Sequence, residues 1–294
     1  MPSKLTDAEI TELVQEGYVT ILDREVDPGG LKTQTEALRS GQITPGGFLR
    51  ALTASAEYGN RKLIKAPNAP LEALHHSRVQ MVKSLPKAEV IVDLGGGSVQ
   101  SADGGLVLMG YPYPFRSLTI VEPPQVERHE IYKHLAPGDP VQHMSRLGQI
   151  RYLYMSMADM APIPTGSVDM VFSGESVEHV TRTDLELVFA EVHRILKPNG
   201  YFIFDTPNRA VTEIQLRGFA ERFINPDHKY EYKHAELVAM LERHHFTIEE
   251  AKGLTWTPSA RQTGTLDLGD MIRHYGFFDD IENSYLLYYR CRPK

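Results

Sequence analysis

The sequence predicts an α/β protein whose mainly parallel sheet is covered by helices on both faces, with a small helical module ahead of it. Three observations lead there. Short apolar runs rich in β-branched residues recur along the second two-thirds of the chain, as strands buried on both faces require. They are Val90-Ile-Val-Asp-Leu94, Leu118-Thr-Ile-Val-Glu122, Ile150–Met157, Ser167-Val-Asp-Met-Val-Phe-Ser173 and Tyr201-Phe-Ile-Phe204. Helical stripes separate them, the cleanest being Leu185, Val188, Phe189, Val192, Ile195 and Leu196. The first run carries an acid, Asp93, and continues into Gly95-Gly96-Gly97. Ligands bind at that end of open α/β sheets, and glycines let the backbone turn and a ligand approach closely.

Taken in order, residues 1–65 read as the helical module. Ala8, Leu13 and Val14 mark an amphipathic first helix. Asp27-Pro-Gly-Gly30 reads as a turn. Leu31, Thr35 and Leu38 share a helical face that Ser40-Gly41 ends, and Thr44-Pro45 starts another helix with Phe48, Leu49, Leu52 and Ala56 as its buried stripe. Ala66–Pro70 is a linker, and 71–294 is the larger domain. Leu71–Leu85 forms a helix with His75, His76 and Arg78. One helix is expected between the first two strands, interrupted at Gly104-Gly105 and stopped by Gly110-Tyr-Pro-Tyr-Pro-Phe-Arg116, whose aromatics are expected to pack. Pro123–Leu135 contains a helical segment, and Pro137–Pro140 a turn, before an extra stretch with His143 and Arg146. Thr183-Asp-Leu-Glu186 is a capping box, and His193 lies on the solvated face of the helix that follows. A helix from about Lys233 to His244, a strand at Phe246–Glu250 and a last strand at Tyr285–Cys291 complete the sheet with an antiparallel pair. The Gly253–Ser284 stretch, with the single Trp256, is long enough for a lid or short helices of its own.

Composition narrows the function. The 294 residues carry a net charge of -7, which argues against a nucleic-acid backbone as the main partner. No apolar run approaches a membrane span, and the N-terminus has no signal-peptide core. Cys291 is the single cysteine, so no intrachain disulfide forms and a cytoplasmic setting is expected. A nicotinamide enzyme would need a third glycine at position 100, which is Gln.

Together, the Asp93-Leu-Gly-Gly-Gly97 loop, the strand ending at Glu122, the Ala158-Asp159 step, the fourth strand running into Gly174-Glu-Ser-Val-Glu-His179, and Leu196-Lys-Pro-Asn-Gly200 before the fifth strand resemble the class I S-adenosylmethionine-dependent methyltransferases. The resemblance implies a Rossmann-like seven-stranded sheet and S-adenosyl-L-methionine as cofactor. It places Asp93, Gly95, Gly96 and Gly97 at the methionine moiety, Glu122 at the ribose hydroxyls, Asp159 at the adenine amino group, and Ala158 and Met160 beside the ring. Ser173 and Glu175 complete the cofactor set. A charged residue on the Leu71–Leu85 helix would pair with the cofactor's carboxylate. The Asn225-Pro-Asp-His228 segment resembles one that faces the acceptor in glycan-modifying methyltransferases. The N-terminal pattern looks like a small helical domain of unknown function that recurs in bacterial surface and glycan-related proteins. For this chain it is expected to be a cap, a substrate-side wall or a homo-oligomer contact.

A hydroxyl acceptor must lose its proton to a base or at a metal. The candidate catalytic residues are His228, His179 and Asp205. Asp205, Asp227 and Glu178 form a candidate Mg²⁺ site. The expected activity is O-methylation of a sugar or oligosaccharide, in the pattern of actinobacterial polysaccharide methyltransferases. The alternatives are a phenolic or other small metabolite as acceptor, or a non-catalytic cofactor-binding scaffold.

Overall fold

The structure, a computed structural model, describes residues 5–22, 24–55, 57–58, 68–124, 142–216, 223 and 225–294. The helical segment expected at 123–135 and the turn at 137–140 fall almost wholly outside these residues. Contacts divide the chain into two compact units, Met1–Glu72 and Ala73–Lys294.

The first unit packs helices α1 (Asp7–Leu22), α2 (Pro28–Arg39) and α3 (Pro45–Thr53) around Ile10, Val14, Tyr18, Leu22, Leu38, Phe48 and Leu52. Gly17 lets α1 approach α3, since a Cβ there would lie 2.8 Å from the Phe48 ring. The Asp27–Gly30 segment is not a free turn. Asp27 caps α2 by accepting from the Gly30 N–H at 2.9 Å, with Pro28 preset in the first turn. Thr44 repeats the arrangement for α3. Leu49 is exposed rather than buried, because it follows the inward-facing Phe48 by about 100° of helical rotation. Ala56 lies outside the described residues.

The second unit is an α/β sheet. Its strands are β1 (Val90–Leu94), β2 (Ser117–Glu122), β3 (Gln142–Met144), β4 (Gln149–Tyr154), β5 (Val168–Gly174), β6 (Leu196–Pro207), β7 (Phe246–Trp256), β8 (Phe277–Phe278) and β9 (Ser284–Pro293). Their order is β3-β4-β2-β1-β5-β6-β9-β7-β8. The five strands β4 to β6 are parallel, and β9 runs antiparallel between β6 and β7. The sheet therefore contains the expected seven strands plus two short edge strands. β3 comes from the stretch around His143, and β8 from the Gly253–Ser284 insertion. The order reverses between β1 and β5, which opens the ligand crevice at their carboxyl ends.

Alternation along the strands fills two cores. Val92, Leu94, Phe202 and Phe204 face helices α6 (Arg182–Ile195) and α8 (His234–Arg243). Ile91, Met170, Phe172 and Ile203 face helices α4 (Ala69–Lys83) and α5 (Gly104–Leu108). Gly104 and Gly105 begin α5 rather than interrupt a longer helix: Gly104 has φ +81°, and the Gly105 N–H bonds to Gly96 O at 2.7 Å. The aromatic loop that follows packs as expected. The Tyr111 hydroxyl accepts from the Ala88 N–H and donates to Pro86 O, and Phe115 is buried. Helix α6 is capped by Thr181, two residues before the expected box, with its hydroxyl accepting from the Asp184 N–H at 3.1 Å. His193 is half-buried against Phe246 rather than solvated.

The Gly253–Ser284 insertion forms helices α9 (Ala260–Thr263) and α10 (Leu268–Arg273), while α7 (Arg209–Gln215) follows β6. Trp256 stacks on Phe278, meets His274 edge-on, and donates from Nε1 to Asp280 Oδ2 at 3.0 Å. Among the described residues no helix is long and apolar enough to cross a membrane.

Candidate active site

The site is built at the carboxyl ends of β1, β2, β4, β5 and β6. Asp93, the fourth residue of β1, is buried on the α4 face, and its Oδ2 has no hydrogen-bond partner among the described residues. Burial, reinforced by the neighbouring Glu122 charge, pushes its carboxyl up to about 8. The glycine loop lies directly on these acids. A Cβ on Gly96 would sit 2.0 Å from Asp93 Oδ2, and one on Gly97 would sit 2.6 Å from Glu122 Oε1. Glu122 is half-buried and accepts from the Gly97 N–H at 2.6 Å. Past the end of β4, Ala158 is half-buried and Asp159 exposed. Met160 is fully buried among Val92, Val121 and Ile163, so its side chain belongs to the core and not to an open ring face. Ser173 is buried near the end of β5, and its Oγ has no hydrogen-bond partner among the described residues.

A second group spans the crevice. Arg78 of α4 donates from Nε to Asp205 Oδ2 at 2.8 Å, and its Nη1 lies 3.2 Å from Glu175 Oε2. α4 packs on the face toward which Asp205 projects from β6, so the guanidinium reaches it directly. Burial works against the Arg78 charge, but Asp205 and Glu175 outweigh it and hold the guanidinium protonated. Glu175 has a positive φ of 49°, and its N–H bonds to Asp205 O at 2.9 Å. Asp205 is fully buried and engaged by Arg78. Arg78 thus occupies one of its two oxygens, while the buried Oδ1 has no hydrogen-bond partner among the described residues. Arg78 points to these two acids, which engage the charge the sequence offered to the cofactor's carboxylate.

A third group gathers two histidines and two buried acids. Glu178 and His179 lie in a 3₁₀ turn after β5. Glu178 is buried; its Oε2 accepts from the Thr206 hydroxyl at 2.8 Å, and its Oε1 has no hydrogen-bond partner among the described residues. Burial, then the Glu175 charge, raises its pKa well above the carboxylate range. His228 Nδ1 lies 2.7 Å from Glu231 Oε1, and His228 Nε2 lies 4.0 Å from Glu178 Oε1. The His179 and His228 rings meet edge-on with centroids 4.8 Å apart. Burial, then the His228 charge, pushes His179 down to about 4, so it is neutral at pH 7. Glu231 is held in turn by the Thr212 hydroxyl and by Arg209, whose Nη1 is 3.7 Å from Oε2. One ligand atom from each of Glu178, His179 and His228 lies within 4.8 Å of the others, so these three could hold a metal ion. This cluster shares Glu178 with the expected Asp205, Asp227 and Glu178 set, whose Asp205 bonds to Arg78. Beside Glu231 opens a cavity of about 320 Å³ lined by Arg209, Glu213, Phe223, Tyr230, Lys233 and Glu236.

The family model described as a methyltransferase domain matches residues 121–204, from the end of β2 through most of β6. A probable S-adenosylmethionine-dependent methyltransferase of Mycolicibacterium smegmatis is 34% identical over 93 residues, 32% of this chain and 34% of that protein. The match thus spans about a third of that relative's length. A ubiquinone biosynthesis O-methyltransferase of Xanthomonas oryzae pv. oryzae is 27% identical over 203 residues, 65% of this chain and 77% of that protein. In fold, the chain is similar to an S-adenosylmethionine-dependent methyltransferase of Thermotoga maritima, with a TM-score of 0.51 at 17% identity, over 76% of this chain and 91% of that one. The fold is the class I methyltransferase fold, and residues 121–204 match a methyltransferase domain.

Several residues of the candidate site escaped the sequence. Glu231 follows His228 by three positions, a spacing that offered a signal, yet its pairing depends on the turn at Asn225–His228. Thr206, Thr212 and Arg209 lie within and just beyond the fifth strand, and nothing in their spacing marks them as partners of two buried acids.

Proposed function

We propose that this methyltransferase transfers a methyl group to a hydroxyl of a sugar or oligosaccharide, with His228 as general base. One observation carries the reading: His228 Nδ1 is bound to Glu231, which leaves Nε2 turned toward the Glu178 and His179 cluster. An Nδ1–H donated to Glu231 fixes the tautomer in which Nε2 holds a lone pair. His228 Nε2 takes the proton of the acceptor hydroxyl, and Glu231 steadies the imidazolium that results. S-adenosylmethionine, when bound, would supply a methyl carried on a sulfonium, whose S–CH₃ electron pair would leave to sulfur. Among the described residues, Asp93 Oδ2 and Ser173 Oγ are polar atoms without a hydrogen-bond partner near the crevice; half-buried Glu122 ends β2, and exposed Asp159 follows β4. These residues fit the cofactor, with Glu122 accepting from the ribose and Asp159 from the adenine amino group.

The acceptor class is argued from the cavity. Arg209 and Lys233 already face Glu213, and Tyr230 donates to Glu236 at 2.9 Å. Such a lining offers donors and acceptors together, which suits a polyol better than an apolar ring. The name of the Xanthomonas relative supports a hydroxyl acceptor.

A metal-assisted reading is favoured by the Glu178, His179 and His228 cluster. Two ligands 2.1 Å from one ion stand at most about 4.2 Å apart, so the 3.9 and 4.0 Å separations from Glu178 Oε1 fit, and small rotations close the rest. Two imidazoles and one carboxylate suit a transition metal or zinc better than Mg²⁺.

The test is methyl transfer to a panel of mono- and oligosaccharides by wild type and His228→Ala, with and without chelator. His228→Ala should lower kcat by about 10² to 10⁴ with affinity for S-adenosylhomocysteine unchanged. Wild-type turnover by that variant would remove His228 from the chemistry. Retention of most of the rate on phenolic acceptors only would favour an acceptor that ionises more readily. Loss of activity in chelator, restored by one divalent ion, would favour the metal.

A further inference from the structure

We propose that Glu191 and Arg194, at the end of α6, are positioning residues for the cofactor's adenine. The inference rests on the assignment of Asp159 to the adenine amino group. Asp159 is exposed on the segment after β4, and its carboxylate is aimed by the backbone that follows it, Oδ1 accepting from the Ala161 N–H at 3.3 Å. That backbone is itself held on both sides of Met160. The Met160 N–H donates to Glu191 Oε2 at 2.7 Å, and the Met160 carbonyl accepts from Arg194 Nη2 at 3.0 Å. Both sides of that residue's backbone are therefore gripped by one ion pair.

The pair is itself two-pronged. Arg194 Nε donates to Glu191 Oε1 at 2.7 Å and Nη2 to Oε2 at 2.8 Å. Arg194 Nη1 goes on to Ile163 O at 2.9 Å and Thr165 Oγ1 at 3.2 Å, holding the far side of the same segment. The planar fork of Arg matches this geometry, and a lysine would not reproduce it. The cation also lies in the last turn of α6, where the helix dipole favours it. Besides the Ala161 N–H bond to Asp159 Oδ1, the segment is tied by its own short turns, Ala158 N–H to Ser156 Oγ, Asp159 N–H to Ser156 O and Ile163 N–H to Met160 O, with the buried Met160 and Ile163 side chains beneath. Those anchors set depth. The Glu191–Arg194 pair sets the rotation of the peptide that follows Asp159, and with it the direction of the carboxylate.

The consequence is a discrimination. A carboxylate aimed at C6 of the base accepts from the amino group of adenine and repels the carbonyl that hypoxanthine carries there. A loosened peptide keeps the segment in place and loses the preference. Calorimetry would compare S-adenosylhomocysteine with its inosine analogue in wild type, Asp159→Ala, Glu191→Gln, Arg194→Lys and Arg194→Met, each shown folded by its thermal midpoint. Glu191→Gln and Arg194→Met should weaken the adenine ligand by about tenfold and the inosine analogue much less, with Arg194→Lys between them and wild type. In turnover, KM for S-adenosylmethionine should rise while kcat and the acceptor KM hold. Equal weakening of both ligands in the two clamp variants would show a purely structural role and overturn the proposal. So would an unchanged preference in those variants while Asp159→Ala abolishes it. If Asp159→Ala itself leaves the preference intact, the adenine assignment fails and the clamp fails with it.

Discussion

Asp93 is the residue whose charge costs the fold most visibly. Its carboxyl rises from the ordinary 3.8 to about 8, chiefly through burial. A proton held in the folded state and released in the unfolded one stabilises the fold in full below 3.8, and that contribution is lost as pH climbs through about 8. Asp93→Asn cannot titrate, so its urea midpoint should fall less than that of wild type between pH 5 and pH 8. The difference should be on the order of a few kcal/mol, read from urea melts at three pH values; parallel profiles would contradict the shift. The acid itself was legible, since a charge closing a buried apolar run has few structural excuses. Glu122 was legible for the same reason. His228 was legible as a histidine at a likely-looking turn only through family likeness, and its partner Glu231 was not. A buried hydrogen bond between two side chains is set by where two turns meet, and spacing along the chain does not encode that.

Helix α6 shows what periodicity does and does not reveal. Its stripe of Leu185, Val188, Phe189, Val192 and Ile195 is fully buried, as the 3.6-residue period requires. Phe189 sits at the centre of an aromatic cluster with Phe202, Phe204, His244 and Phe246, at centroid distances of 5.5 to 6.3 Å. Phe189→Ala should cost about 3–5 kcal/mol by opening a cavity among rings that cannot all close in. A shift in the urea midpoint at constant slope would measure it; a loss under about 1 kcal/mol would mean the rings repack. The ends of the element were harder to read. Thr181 and Thr183 both suit a cap, and the backbone turn at His179 and Val180 decides between them. The short helix α5 was misjudged for a related reason. A glycine pair reads as a break, but Gly104 starts a helix because its positive φ brings Gly105 onto the Gly96 carbonyl.

At the scale of the molecule, the parallel strands were readable because each is a β-branched run buried on both faces. The two edge strands were not, since β3 and β8 have three and two residues and take their pairing from the neighbours they meet. The insertion that contributes β8 also holds the single indole of the chain. Trp256 stacks on Phe278 with its N–H bound to Asp280, and all three belong to the antiparallel end of the sheet. Excited at its own wavelength, the protein reports on that end alone. Its emission should shift to the red when the insertion opens, in step with far-ultraviolet circular dichroism if the sheet melts as one body and ahead of it if this end loosens first. The fold thus carries a native optical probe, one fluorophore at one address, and local opening can be timed without adding a label.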